Sequence, residues 1–320
     1  MAKRALLTGA TGFVGGHLAE RLAQEGWTSR AVVRPTSDTS LLDRLSLETV
    51  TTDLRDADGV ARAAEGAEVV FHLAAATFAR REEEFWSANV DATRAVMEGA
   101  ARAGSRAVYL SSYAACGPGS YDRPRRAGDE PEPLSAYGRT KLEGERAARE
   151  LAPEAVIVRA PAVYGPRDRA LLPLFRMARL GVVPVPGGGD RPLHLLFAPD
   201  LAGALVRAAR VAAGTYAVAG PGAPAWREVV SVVGDALGRR VLSVPLSPAL
   251  VRGAAAATEG VARLLGRSAT FGRDKAREML APGWLCDLSG SEALLPAGEA
   301  TALAEGMQKT VAWYRTNGWL

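Results

Sequence analysis

The sequence contains few of the side chains that build metal centres and disulfide frameworks. It has only two cysteines, Cys116 and Cys286, and three histidines among 320 residues. The two cysteines are far apart along the chain, and no C-x-x-C spacing is present. Zinc sites and disulfide scaffolds need several such residues at short spacings, so we expect neither a metal nor a disulfide framework. The cysteine usage favours a cytoplasmic protein.

The sequence also lacks a long hydrophobic run and a strong excess of one charge. The first residues, MAKRALLTGATGFVGG, include four glycines and two threonines, which interrupt the apolar core that a signal peptide needs. The stretch LLPLFRMARLGVVPVP contains two arginines and three prolines and cannot span a bilayer. The net charge is +4, and basic residues are scattered among acids, as in LEGERAARE. We therefore expect no membrane partner and no nucleic-acid partner.

The first half of the chain shows a regular alternation of apolar runs and amphipathic helical patterns. Hydrophobic residues make up 48% of the sequence, which is enough for a large core. The runs RALLT, SRAVVR and EVVFHLA are each followed by a helical pattern. This order is typical of the α/β class and predicts a Rossmann-type doubly wound parallel sheet.

After the segment VYGPRD the pattern changes to short, proline-bounded strands and long helices. The clearest helical patterns lie at residues 248–266 and 301–317. We predict a dinucleotide-binding Rossmann domain over residues 1–165. A smaller, mostly helical substrate lobe is predicted over residues 166–320, partly interleaved with the Rossmann sheet.

A glycine-rich turn follows the first predicted strand. In LLTGATGFVGGHLAERL, Gly9, Gly12 and Gly15 come directly before the first helical pattern. Glycines allow the backbone to approach a pyrophosphate, and the free N–H groups of the helix start face its charge. Where an acid would mark NAD, the second strand ends with Arg34, whose guanidinium suits a 2′-phosphate. This favours NADP over NAD as the cofactor.

The segment YGRTK places two chemically complementary side chains four residues apart. On a helix, Tyr137 and Lys141 would share one face. A free phenol has a pKa of about 10, so it needs a nearby positive charge to act as an acid or base near neutral pH. Lys141 supplies such a charge.

These motifs together resemble the extended short-chain dehydrogenase/reductase family, also called the NAD-dependent epimerase/dehydratase group. The similar segments are TGATGFVG, DLRD, HLAA, NVDAT, LSSYAACG, YGRTK, RAPAVYGP and the closing TVAWYRTNGWL. The resemblance extends over nearly the whole chain. It implies a Ser-Tyr-Lys constellation of Ser112, Tyr137 and Lys141, in which the tyrosine moves a proton and the serine hydrogen-bonds the substrate oxygen.

The resemblance also implies the residues that contact the cofactor. Together with Arg34 they are Gly9, Thr11, Gly12, Phe13, Val14, Gly15, Asp53, Leu54, Leu73, Ala74, Ala75, Asn89, Tyr137, Lys141, Pro161 and Val163. The family often forms dimers through two long helices, here at about 84–103 and 135–151. The resemblance therefore implies a homodimer that acts on a small-molecule substrate.

Some positions depart from the family pattern. Tyr113 and Ala114 replace the acid pair of the dehydratases, and Ala162 replaces an asparagine common in sugar-nucleotide epimerases. Leu193 and His194 replace an Arg-Asp pair, although Arg167, Arg169 or Arg191 could compensate for it. Three interpretations remain open: an NAD(P)-dependent reductase or dehydrogenase, a nucleotide-sugar epimerase with tightly bound NAD, and a binding or scaffold protein without catalysis.

Overall fold

The computed structural model describes residues 3–265 and 271–320, and its centre is a seven-stranded parallel sheet. The strand order is β10-β6-β5-β4-β1-β2-β3. Parallel strands buried on both faces are expected to read as apolar runs, as β4 does with four buried residues in VVFH. The strands of this sheet are β1 Arg4–Thr8, β2 Thr28–Val33, β3 Glu48–Thr51, β4 Val69–His72, β5 Arg106–Ser112, β6 Val156–Ala160 and β10 Gly214–Ala217.

Helices cover both faces of the sheet. Leu18 and Leu22 of α1 pack with Leu205 of α9 on one face, whereas the other face is covered by α3, α5 and α7. A single π turn, Ser87–Asp91, joins α4 to α5. The helices of this part are α1 Phe13–Gln24, α2 Ser40–Arg44, α3 Ala57–Ala64, α4 Glu82–Trp86, α5 Ala92–Arg102, α6 Tyr113–Cys116, α7 Ala136–Leu151 and α9 Ala198–Ala208.

The remaining elements form a smaller lobe with its own core. Two parallel strand pairs belong to it, β7 with β9 and β8 with β11, and Phe175, Val233 and Tyr314 lie at its centre. A 3₁₀ turn, Ser291–Ala293, precedes the last helix. The elements of the lobe are β7 Ala162–Tyr164, α8 Leu172–Leu180, β8 Val182–Pro186, β9 Leu195–Phe197, α10 Trp226–Leu237, β11 Leu242–Leu246, α11 Pro248–Leu264, α12 Arg273–Met279 and α13 Leu303–Thr316.

The predicted α/β doubly wound sheet is confirmed. The two long helices of the second half are present at 248–264 and 303–316, and residue 266 of the first prediction lies outside the described residues. The division at residue 165 stays a prediction. Strand β10 and helix α9 come from the second half of the chain but pack with the main sheet.

All three histidines of the chain are buried and hydrogen-bonded. His72 in β4 lies 2.6 Å from the Thr8 hydroxyl and 3.0 Å from the Thr93 hydroxyl. His17 on α1 donates through Nε2 to the carbonyl oxygen of Pro166 at 2.9 Å. Burial lowers the pKa of His17 to about 4, of His72 to about 3 and of His194 to about 4. The folded protein therefore holds its imidazoles neutral at pH values where unfolded histidine is charged.

We predict that acid destabilises the fold between the unfolded and folded histidine pKa values. The unfolded chain binds more protons below about pH 6.5, so the free energy of unfolding should fall by several kcal/mol as the pH approaches about 4. Urea unfolding at a series of pH values measures this change. His17→Gln, which keeps a donor for Pro166, should have a shallower pH dependence. Equal free energies of unfolding across this range would contradict the prediction.

Candidate functional site

The turn after β1 is shaped for a close backbone approach. Gly9 has a φ of +75°, and a Cβ there would lie 2.7 Å from the backbone nitrogen of Ala74. A Cβ on Gly15 would overlap the carbonyl oxygen of Gly9. Gly12 is the N-cap of α1 and supplies no side-chain hydrogen bond, so the first N–H groups of α1 remain available to an anion. These residues fit a dinucleotide pyrophosphate.

The segment that follows β4 closes one side of this turn. The Leu73 amide donates to the Thr8 carbonyl oxygen at 3.2 Å, and the Ala74 amide donates to the Thr8 hydroxyl at 3.2 Å. Ala75 is exposed beside them. Small side chains at these positions leave room over the glycine turn. The turn itself is completed by Thr11, which is exposed, and by Phe13 and Val14, which are half-buried.

The ends of β2 and β3 carry the side chains predicted for the adenosine half of a cofactor. Arg34 follows β2 directly, is exposed, and starts a turn in which its amide donates to the Ser37 hydroxyl at 3.1 Å. Asp53 is half-exposed after β3, with Leu54 packed against the core. Hydrogen bonds from the Arg55 guanidinium hold the pKa of the Asp53 carboxyl at about 2. Asp53 is therefore charged at neutral pH.

The predicted serine and tyrosine meet where β5 ends and α7 begins. Ser112 ends β5 and caps the short helix α6, its Oγ accepting from the Ala114 amide at 3.1 Å. Tyr137 lies on the first turn of α7, close enough for the Ser112 hydroxyl to act on the pKa of its phenol. A Cβ on Gly138 would overlap the Ala114 carbonyl oxygen, which explains why YGRTK needs a glycine after its tyrosine. Burial raises the pKa of Tyr137 to about 12, although the nearby Ser112 hydroxyl acts to lower it.

Lys141 lies one turn further along α7 and is almost completely buried. Its Nζ donates to the Leu110 carbonyl oxygen at 2.7 Å and lies 4.2 Å from the centre of the Tyr109 ring. Burial lowers the pKa of Lys141 to about 7, and the Glu145 carboxylate partly opposes this shift. The Leu110 carbonyl oxygen and the Tyr109 ring thereby fix the position of the Lys141 Nζ. Pro161 and Val163 flank the same edge of the sheet, because Ser112 pairs in register with Ala160 of β6.

Beneath the lysine lies a buried ion pair that the sequence interpretation missed. Glu145 is fully buried and accepts from the Arg159 guanidinium at 2.8 and 2.7 Å and from the Ser111 hydroxyl at 2.7 Å. Burial alone would raise the pKa of Glu145, but the bonds and charge of Arg159 outweigh it and hold the pKa below its usual value. The spacing could have indicated that Glu145 lies near Lys141, because residue 145 is four after residue 141 and shares its helix face.

Asn89, predicted as a cofactor ligand, is buried within the protein. Its Oδ1 accepts from the Ala76 amide at 2.7 Å, and its Nδ2 donates to the Ala76 carbonyl oxygen and the Thr140 hydroxyl, each at 3.0 Å. Its side chain is 0% exposed and joins the segment after β4 to α7. A direct contact of Asn89 with the cofactor stays a prediction. Asn89 lies in the π turn, a feature frequent near functional sites.

Helix α12 from the smaller lobe covers the start of α7. Asp274 accepts from the Ala136 amide at 2.8 Å, and the Ser135 hydroxyl donates to Glu278 at 2.6 Å. Carboxylates at a helix N-terminus are stabilised by its free N–H groups. The Glu278 charge also contributes to the raised pKa of Tyr137. These contacts could not be predicted from the sequence, because the paired residues are more than 130 positions apart.

His194 lies behind Ser112 and is part of a buried polar cluster. Its Nδ1 is 3.1 Å from the Tyr113 hydroxyl, which also donates to the Val218 carbonyl oxygen at 3.1 Å. The sulfur atoms of Cys116 and Cys286 are 3.7 Å apart beside them, and both thiols are free. The loop after Cys116 reaches the same region, since Arg125 forms a β-bridge with Cys286.

The three arginines considered as substitutes for a nucleotide anchor are engaged elsewhere. Arg167, at a φ of +72°, forms a bidentate ion pair with Glu20 of α1 at 2.6 and 2.7 Å. Arg169 lies 5.3 Å from the Trp319 ring, and Arg191 donates to two carbonyl oxygens of its own turn. In this arrangement each of the three guanidinium groups contacts another part of the protein, and none is placed to bind a diphosphate.

The parallel sheet and the glycine turn at the start of α1 define a NAD(P)-binding protein of the Rossmann type. The model of the NAD dependent epimerase/dehydratase family matches residues 5–219, and the chain belongs to this family. It is an NAD(P)-dependent enzyme of this family.

Two kinds of relative are similar over almost the full chain. A protein from Caulobacter vibrioides named ceramide reductase is 35% identical over 320 residues, which cover 98% of this chain and 95% of the relative. The crystal structure of gox2253 aligns with a TM-score of 0.81 at 25% identity, over 99% of both chains. MoeE5 in complex with UDP-glucose and NAD aligns with a TM-score of 0.75 at 26% identity, over 98% of this chain and 99% of MoeE5.

Two properties of the structure concern membranes and metal ions. Within residues 3–265 and 271–320, no helix is long and apolar enough to cross a bilayer. The same residues contain no group of three or more histidine, cysteine or acidic side chains that could hold a metal ion. The homodimer and the cytoplasmic location stay predictions.

We predict that Glu145→Gln is strongly destabilising. Removing one partner of a buried ion pair leaves the Arg159 charge unpaired, which typically costs about 3–5 kcal/mol. Urea unfolding measures the loss. Because the pKa of Glu145 is lowered by folding, this stabilisation should be present above the usual carboxyl pKa and lost as the pH falls below it.

The matched control for this prediction is Glu143→Gln on the same helix. Glu143 pairs with Arg146 three residues later at the surface, where an ion pair contributes roughly 0–1 kcal/mol. If the two variants lost the same stability, the assignment of a special role to the Glu145–Arg159 pair would be wrong.

Proposed function

We propose that the protein is a reductase that transfers hydride between NADP(H) and a carbonyl or secondary alcohol. When bound, the nicotinamide cofactor supplies or accepts the hydride. Tyr137 donates a proton to the carbonyl oxygen, and Ser112 hydrogen-bonds that oxygen as negative charge develops on it. Lys141 stabilises the phenolate that remains and holds the nicotinamide ribose.

The observation that supports this proposal is that the Ser112 hydroxyl lies near the Tyr137 phenol, with Lys141 buried one turn further along the same helix. The raised pKa of Tyr137, about 12, keeps the phenol protonated at neutral pH, as a proton donor for reduction requires. The lowered pKa of Lys141, about 7, leaves the amine partly charged there. Loss of the lysine charge should therefore reduce the rate as the pH rises above about 7.

The surroundings of the site favour a reductase over a nucleotide-sugar epimerase. Leu193 and His194 replace a charged pair, and His194 is buried against Tyr113. The arginines that could bind a diphosphate instead have partners within the protein. The relative named ceramide reductase covers nearly the whole chain. We therefore propose a substrate with a reducible carbonyl group and long apolar chains, of the ceramide type.

The second candidate is an epimerase that keeps its cofactor. It is favoured by one observation, the fold similarity to MoeE5, whose structure contains UDP-glucose and NAD. In that case the same tyrosine would remove and return a proton on one substrate. The cofactor would be neither consumed nor released.

We predict that Tyr137→Phe lowers kcat for NADPH-dependent reduction by about 10²–10⁴-fold, because the proton donor is lost. The affinity for NADPH should change much less than kcat, since many other residues are expected to contact the cofactor. Absorbance of NADPH with a panel of ketones, including a long-chain keto amide, measures the rate. Tyr216→Phe is the matched control, because its hydroxyl donates only to the Ala212 carbonyl oxygen. Unchanged turnover in Tyr137→Phe would contradict the proposal and favour a scaffold protein.

We predict that Arg34→Ala selectively weakens binding of NADPH. The loss of a charge-assisted bond to the 2′-phosphate should raise the Kd for NADPH by roughly 10–100-fold and leave that for NADH nearly unchanged. Fluorescence titration with both cofactors measures the two constants. Arg44→Ala, an exposed arginine on α2, is the control. Tighter binding of NADH than NADPH by the parent protein would show that NAD is the cofactor.

A further inference from the structure

We propose that the edge of the smaller lobe formed by α8, β8 and β11 binds the surface of an anionic phospholipid bilayer. This docking surface consists of Leu180, Val182 and Leu242 together with Arg179, Arg239 and Arg240. Nothing in the cofactor site uses these residues. The sequence predicts no membrane partner because no run can span a bilayer, but a peripheral contact needs no such run.

Three large apolar side chains lie together at this edge. Leu180 ends α8, and its exposed fraction is 80%. Val182 and Leu242 begin the paired strands β8 and β11, stand in register, and are 47% and 63% exposed. The Leu242 amide donates to the Gly181 carbonyl oxygen at 2.8 Å, which fixes the two chain segments side by side. A contiguous exposed apolar patch of this kind marks an interaction surface.

Arginine is the only charged residue type in the two chain segments that form the patch, and the exposed Asp235 lies four residues before Arg239. Residues 169–189 and 236–258 contain six arginines and no aspartate or glutamate. Arg239 donates to the Arg179 carbonyl oxygen, so these two arginines are neighbours at the edge. Guanidinium groups bind phosphate oxygens well, and exposed leucines can enter the region between headgroups and acyl chains. The combination is complementary to anionic lipid.

The same charge argues against a second copy of the chain as the occupant. A two-fold symmetric contact would bring this surface against itself. Arg179, Arg239 and Arg240 would then face the same arginines of the other copy, with no acid in either segment to neutralise them. Like charges in such a contact are destabilising.

Helix α11 begins near this edge and packs against α12, which bonds the start of α7. It begins two residues after β11, and Val251 and Ala255 on one side of it pack against Ala276 of α12. Its other side has exposed apolar residues at 250, 254, 257, 261 and 264, a spacing that forms one stripe. Since α12 holds the start of α7, docking would place the bilayer next to the element that covers Tyr137. Docking would bring the site close to a lipid substrate, and this advantage rests on the proposed function. The proposal of the docking surface itself does not rest on it.

The test is flotation of the full chain with vesicles of phosphatidylcholine and phosphatidylglycerol, compared with phosphatidylcholine alone. We expect binding only to the anionic vesicles, and weaker binding at high salt. Arg179→Glu/Arg240→Glu and, separately, Leu180→Ser/Leu242→Ser should each reduce the bound fraction about tenfold or more. The charge-matched control is Arg62→Glu/Arg210→Glu, two exposed arginines elsewhere on the surface, which should leave binding nearly unchanged.

Three results would overturn the proposal. They are an absence of binding to anionic vesicles, an equal loss of binding in the control variant, and a change of oligomeric state in the docking variants without loss of vesicle binding. Turnover of a water-soluble ketone with NADPH, measured on the same proteins, separates this test from the proposed function. Docking variants should keep that activity. Vesicle binding without any ketone reduction would support the proposed docking surface and contradict the proposed reductase function.

Discussion

The buried ion pair between Glu145 and Arg159 is the constraint on which the position of α7 depends. It joins α7 to β6, and the Ser111 hydroxyl adds β5 to the same carboxylate. Taking two charges out of water is costly, so the pair is maintained only while both partners keep their geometry. A helix that slid or rotated on the sheet would leave a charge unpaired. Lys141, one turn before Glu145, is held in place as a consequence.

Two further contacts hold the same helix from other directions. The Asn89 amide joins Thr140 to the segment that follows β4, next to the glycine turn. Asp274 and Glu278 of α12 bond the first residues of α7 from the smaller lobe. Tyr137, at the start of this helix, therefore lies where the sheet, the segment beside the glycine turn and the smaller lobe come together. A change in the position of α12 acts directly on the surroundings of Tyr137, since Glu278 influences its pKa.

The parts of the site that depend on local spacing could be predicted from the sequence. The glycine turn and the Tyr137–Lys141 pair follow from strand and helix periodicity, whereas Ser112 was implied by the resemblance to the family. The contacts of Asp274 and Glu278 could not be predicted, because the local sequence of α12 does not indicate which other helix its side chains will contact. The hydrogen bonds of the Asn89 amide with Ala76 and Thr140 could not be predicted for a related reason, because burial is a tertiary property.

The most direct test of the reductase account uses NADPH deuterated at C4 of the nicotinamide, with a ketone substrate and mass spectrometry of the product. The account predicts that deuterium appears on the product carbon and that cofactor is oxidised in equal amount to the product formed. A product without deuterium, formed while NAD stays bound to the protein and no added cofactor is consumed, would contradict it. That result would instead identify an enzyme that oxidises and re-reduces one substrate.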